Sequence, residues 1–251
     1  MHFGPHHGTL EPTYMDKQAL IDKLFSVGAH FGYAPSRRHP SVAPFIFGTK
    51  GGSEIIDLEA TSTKLMEALE VVKSLAQGRK TILFVGSKAE AREALKRAAD
   101  RLAQPYVASR WIGGTLSNFS EIKKRVNRLS ELSTMREKGE LAKFTKHERL
   151  LIDREITELE DMFGGLRSMS KLPDALIVVD PKHQSGAVKE AALLNIPVIA
   201  ILNTDCDRAG ITYPVPANDA SAQTIAFILG EVASTYEQHL GVPQKEAEGA
   251  H

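Results

Sequence analysis

The sequence predicts a three-layer α/β domain with a mostly parallel sheet, flavodoxin-like or Rossmann-like, carrying an inserted antiparallel helical hairpin of coiled-coil type. Three observations point there. First, apolar runs rich in β-branched residues recur at TILFVG (81–86), DALIVVD (174–180) and IPVIAIL (196–202). They lack the alternation of a half-exposed strand, as buried parallel strands do. Second, amphipathic helical patterns alternate with these runs, an order that places helices on both faces of a sheet. Third, the alternation stops in the middle, where two long segments repeat apolar residues at heptad-like intervals.

In chain order, residues 16–27 read as a helix with Asp16 as N-cap, Leu20, Leu24 and Val27 on one face, and Gly28 at its end. A proline-rich loop-like stretch (29–44) precedes two short apolar runs, 44–48 and 54–58, joined by TKGGS as a hairpin. Thr61 or Ser62 caps a helix reaching Gln77, with Leu65, Leu69, Val72 and Ala76 as its stripe. The strand at 81–86 leads to an amphipathic helix over 88–103 and a short strand at 106–109. Phe119, Ile122, Val126, Leu129 and Leu132 mark one arm of the hairpin, and Ile152, Ile156, Leu159 and Phe163 the other. After the strand at 174–180 come a short helix (187–195), the strand at 196–202 and a last helix over about 220–239. The α/β domain is thus discontinuous, 15–111 and 166–240, the insert is 112–165, and 1–14 and 241–251 read as flexible tails.

Composition is that of a folded globular protein: 42% hydrophobic and 25% charged residues in 251. Lys plus Arg balances Asp plus Glu at 31 each, unlike a free-standing DNA binder. The balance hides polarity. Segments 15–52 and 110–171 each carry net +3, whereas 172–251 carries −6. That suits one face on a polyanion and another on protein or water. One cysteine, Cys206, excludes an internal disulfide and reads as a packed thiol. No apolar run is long enough for a membrane span, and the N-terminus resembles neither a signal peptide nor a mitochondrial presequence. The expectation is a cytoplasmic protein without membrane contact.

Enzyme signatures are absent. There is no G-x-G-x-x-G, no Walker-type loop and no G-x-S-x-G. FVGSK (84–88) is a strand-to-helix turn able to hold a phosphate, a weak signal alone. His147-Glu148 lacks the second histidine of a zincin. His30, Asp180, Asp205 and Asp207 could meet at the carboxyl edge of the sheet, but a structural or RNA-contacting role for His30 is the stronger reading. No catalytic residue, cofactor or metal is assigned.

The most unusual stretch is SRWIGGTLSNF (109–119), entering the hairpin. It offers a cation (Arg110), the only Trp (Trp111), two adjacent glycines (Gly113, Gly114) and capping side chains (Thr115, Ser117, Asn118). With exposed amides and a basic helix downstream, it reads as a site for an RNA backbone.

Here the chain resembles a known family, that of bacterial-type ribosomal protein S2 of the small ribosomal subunit. The matching pieces, in the family's order, are GAHFGY (28–33), PFIFGTKGGSEIIDLEAT (44–61), ILFVGSK (82–88), RWIGGTLSNF (110–119), FTKHE (144–148), LPDALIVVD (172–180), NIPVIAI (195–201) and YPVPAND (213–219). The resemblance implies a non-enzymatic ribosomal constituent, monomeric within the ribosome. It implies binding to small-subunit ribosomal RNA at the junction of head and body, beside neighbouring ribosomal proteins, and help in recruiting ribosomal protein S1. The residues expected to meet RNA are Arg110, Trp111, Gly113, Gly114, Thr115, Asn118, Lys123, Lys124, Arg125 and Lys146, with His30, Arg37, Arg38 and Lys50 from the N-terminal third. Tyr33, Gln184, Asn203 and Ala220 stand where the family commonly has a histidine and three carboxylates. That makes a bound ion less expected still and leaves the RNA-facing motifs intact.

Overall fold

The computed structural model describes residues 17–241; the expected cap Asp16 and the tails at 1–14 and 242–251 lie outside the described residues. Helix α1 (Lys17–Ser26) buries Leu20 and Leu24. The proline-rich stretch folds into two 3₁₀ turns, Pro35–Arg37 and Pro40–Phe45. Strands β1 (Ile46–Lys50) and β2 (Ser53–Ile56) pair antiparallel as a separate small sheet. Their two-residue connection is Gly51-Gly52, both with positive φ (60° and 81°). Such a turn matches the twist of a hairpin and is open to glycine at little cost.

Helix α2 (Leu58–Gln77) begins earlier than its hydroxyl residues suggest. The Asp57 side chain accepts from the Glu59 and Ala60 amides and so takes the cap. Thr61 and Ser62 lie inside the helix, buried, and Thr61 Oγ1 donates to the Pro216 carbonyl at 2.7 Å.

Next come β3 (Ile82–Val85), α3 (Ala89–Arg101), β4 (Tyr106–Val107), α4 (Phe119–Glu137), α5 (Lys146–Phe163), β5 (Ala175–Val179), α6 (Ser185–Leu193), β6 (Val198–Leu202), β7 (Tyr213–Pro216) and α7 (Ala222–His239). Strands β3 to β7 form one sheet in the order β4-β3-β5-β6-β7, parallel throughout. This is the doubly wound order of flavodoxin-like folds, whose direction reverses between β3 and β5. Sequence reading misses β7 because Pro214 and Pro216 argue against a strand. At a sheet edge that objection lapses, since one side of the strand needs no ladder donors.

The central strands bury both faces. Ile82, Phe84, Ile177, Val179, Ile199 and Ile201 pack with α1, α2, α3 and α7. Leu83, Val85, Leu176, Val178, Val198 and Ala200 pack with α6, α4 and α5. The apolar stripes of the helical pair, Ile122 to Leu132 and Ile156 to Phe163, thus share one continuous cluster with the sheet. Thr145 and Glu148 form a reciprocal capping box that starts α5, and Arg128 pairs with Glu155 across the two helices at 3.0 Å.

Candidate nucleic-acid interface

The turn between β4 and α4 is built around a residue from elsewhere in the chain. Glu190, on the inner face of α6, points its carboxylate into the turn. Its Oε1 accepts the Trp111 indole N–H at 3.1 Å and the Gly114 amide at 2.8 Å. Its Oε2 accepts the Leu116 and Ser117 amides at 2.9 and 3.0 Å and the Ser117 hydroxyl at 3.2 Å. Burial would raise this carboxyl, but the hydrogen bonds from Ser117, Leu116, Trp111 and Gly114 outweigh it and hold it below its ordinary value.

The amides expected to be open for phosphate are therefore occupied. Trp111 is buried, with its Cδ1 close against Gly186, where an added Cβ would lie 3.1 Å away. Thr115 is buried too, donating to the Ile112 carbonyl. Gly114 has φ of 89°, a backbone state that disfavours other residues. Arg110, Gly113 and Asn118 are exposed. Glu190 is the residue that sequence reading passed over. Its one signal was an acidic side chain on the inward stripe of α6, between Ala187 and Ala191.

Asn118 is the N-cap of α4 and makes no side-chain capping bond. The positive end of this helix lies beside exposed Lys123, Lys124 and Arg125. Lys124 pairs with Glu121 at 2.7 Å, and Lys123 reaches the Ser170 carbonyl at 3.4 Å. Lys146 is exposed at the start of α5, at the far end of the helical pair.

The N-terminal residues fall in two places. His30 stacks between Phe25 and Phe31, with ring centroids at 4.6 and 4.0 Å, and burial lowers its pKa. Phe25, Phe31 and Phe47 are exposed, Phe47 by 80%. Phe31 and β1 flank β2 on opposite sides, both opposite Ile55, so these aromatics share one region with Lys50. Arg38 pairs with the fully buried Glu54 at 3.2 Å. Arg37 turns instead toward the carboxyl edge of the main sheet, where its Nη2 and Lys182 Nζ each lie 2.8 Å from Asp205 Oδ2.

That edge also holds Lys88, from the FVGSK turn, 2.7 Å from Asp180 and 2.9 Å from Asp219. Asp180 carries φ of 60°, and its Oδ2 meets His183 Nδ1 at 2.6 Å. Among the described residues, the group whose donor atoms converge within 4.8 Å is Asp180, Cys206 and Asp219. His30, Asp205 and Asp207 stand outside it. The chemistry suits an ammonium better than a metal ion. Lys88 already bridges both carboxylates, and burial pushes the Cys206 thiol up to about 12, far from the thiolate a metal needs.

The family model for ribosomal protein S2 matches residues 24–239. Several curated relatives carry the name small ribosomal subunit protein uS2. The chain is 44% identical over 211 residues to that of Roseiflexus sp., covering 84% of this chain and 80% of the relative. It is 40% identical over 229 residues to that of Dictyoglomus thermophilum and 39% over 229 to that of Dictyoglomus turgidum, each covering 91% of this chain and 93% of the relative.

Proposed function

Since the chain belongs to the ribosomal protein S2 family, a structural and non-enzymatic component of the small ribosomal subunit, we propose that it holds its place there by binding small-subunit ribosomal RNA. The observation that carries this reading is the start of α4. An uncapped N-terminus of a 19-residue helix lies beside Lys123, Lys124, Arg125 and Arg110. A helix start and a row of flexible cations are both phosphate-binding devices. Trp111, Gly114 and Thr115 serve this surface from beneath by shaping the turn. Arg110, Gly113 and Asn118 face outward, and Lys146 extends the basic surface along the helical pair. Residues 112–165 act as the RNA-gripping insert and 15–111 with 166–240 as its α/β base.

The exposed aromatic region of Phe25, Phe31 and Phe47 supports a second contact, to a protein neighbour such as ribosomal protein S1. Apolar rings gathered on a surface mark protein docking sites. No helix of the described residues is long and apolar enough to cross a membrane, and the working location is the ribosome in the cytoplasm, with one copy per subunit.

Sedimentation of a cell lysate at high magnesium tests this. The chain should travel with the small subunit and with whole ribosomes. A triple K123A/K124A/R125A variant should be lost from subunits at a salt concentration that the parent withstands. Retention of the triple variant equal to the parent's in the salt wash would remove the α4 surface from the RNA contact.

A further inference from the structure

The carboxyl edge of the sheet holds a pair of cations that a single buried acid does not neutralise. Arg37 Nη2 and Lys182 Nζ both sit 2.8 Å from Asp205 Oδ2. The Asp205 side chain is 4% exposed, while those of Arg37 and Lys182 are 50% and 49% exposed. One carboxylate balances one of the two charges, and the surplus faces solvent. Arg37 is also pinned over the Tyr33 ring, 3.9 Å from its centroid. A guanidinium held from below and from one side keeps its remaining N–H donors in a fixed fork, ready for a phosphate.

Beside this pair runs a groove of about 480 Å³ between α6 and the 205–210 loop. Pro181, Val188 and Ala192 supply apolar wall, and Lys182, Lys189 and His39 stand around it. Its two acids are engaged: Asp205 by the cation pair, and Asp207 by the Ala209 amide at 3.0 Å, with His39 Nδ1 3.9 Å away. An anion position therefore adjoins a compact apolar compartment. That pairing suits a nucleotide, whose phosphate is joined to a flat, weakly polar body. It suits an acidic peptide less well, because an extended peptide asks for backbone partners along its length.

We propose that this groove takes one unpaired nucleotide of the bound RNA, its phosphate on Lys182 and Arg37 and its base or ribose against Pro181, Val188 and Ala192. The assignment rests on the RNA-binding reading above and deepens it. It adds a contact point on α6 and on the 180–182 and 205–210 segments, elements separate from the α4 surface.

The test uses the full chain, a single-stranded ten-nucleotide RNA containing 4-thiouridine, and intact small-subunit ribosomal RNA. Ultraviolet crosslinks to the short RNA should map to peptides within 181–192 or 205–210. A K182A/K189A variant should bind it about ten-fold more weakly, with a log–log salt slope shallower by roughly 1.4 for two lost phosphate contacts on a single strand. Its melting temperature should match the parent's, because both lysines are exposed and Asp205 keeps Arg37. Crosslinks confined to the α4 region, with unchanged affinity in K182A/K189A, would overturn the groove while leaving RNA binding standing. Displacement of the RNA by a glutamate-rich peptide at lower concentration than by unlabelled RNA would also overturn it, making the groove a protein contact. If the parent bound neither the short RNA nor the ribosomal RNA, the RNA-binding reading itself would fall, and the groove assignment with it.

Discussion

Glu190 and Trp111 stand 79 positions apart and meet through a 3.1 Å hydrogen bond from the indole to the carboxylate. The same carboxylate gathers the amides of Gly114, Leu116 and Ser117. A motif that reads as an RNA-binding loop is thus, on its inner side, a clamp between α6 and the start of α4. The cations it displays face the other way.

Removing the clamp should be costly. In Glu190→Ala, the buried Leu116 amide, the Gly114 and Ser117 amides and the indole lose their acceptor, and each unsatisfied buried group costs about 1–3 kcal/mol. A loss of about 3 kcal/mol or more in denaturant-measured stability is expected. Because the Glu190 pKa is lowered on folding, its contribution is present above the ordinary glutamate range and is lost as pH falls through the folded value. Glu190→Gln should therefore flatten the acid limb of the stability–pH curve. An acid limb identical in parent and Gln variant would show that Glu190 is not the group responsible.

Trp111 and Arg110 are neighbours with opposite duties. Trp111→Phe should lower stability by about 1 kcal/mol through the lost indole bond and leave the salt dependence of RNA binding unchanged. Arg110→Ala should leave the melting temperature unchanged and reduce the salt slope by roughly 0.7–0.9, one phosphate contact. Paired melting and binding titrations would separate the two.

Lys88 lies between two buried carboxylates. Lys88→Met leaves Asp180 and Asp219 facing each other without a cation, and breaking such a group costs about 3–5 kcal/mol. Asp219 is already raised by burial, and loss of the ammonium removes a charge that lowers it. The deficit of the variant at neutral pH should therefore shrink on acidification as Asp219 takes a proton. The double variant K88M/D219N should recover part of the loss at pH 7. A deficit that stays constant between pH 7 and pH 4 would contradict this account.

Gly165 allows the segment after α5 to lie against β4. An added Cβ there would come 2.3 Å from the Tyr106 carbonyl oxygen, a backbone atom that cannot swing aside. Gly165→Ala should destabilise the protein by about 1–3 kcal/mol. Gly113→Ala, where nothing lies within 4 Å of the added carbon, should be close to neutral. Chemical denaturation of the two variants makes the comparison.

The sequence by itself determined the α/β class, the buried character of β3, β5 and β6, the helical pair, and the family. Those are local properties: periodicity, β-branched runs and ordered motifs lie within a few residues of one another. It also determined which residues around 110–125 carry charge. Its placement of the α2 cap failed for a local reason, because Asp57 reaches the orphan amides ahead of Thr61 and Ser62. β7 stayed hidden because tolerance for Pro214 and Pro216 depends on being at an edge, which is a property of the sheet.

Only the tertiary structure decided which side of the RWIGG turn is free. Glu190 fills the inner side from α6, and nothing near position 111 announces it. The same holds for Lys88 between Asp180 and Asp219, and for Arg37 and Lys182 on Asp205. Each joins residues tens to more than a hundred positions apart at the carboxyl ends of parallel strands. Parallel strands need long crossover connections, so the residues that meet at their shared edge come from distant parts of the chain. Their pairing follows from packing and from the need to satisfy buried charge, which no single stretch of sequence records.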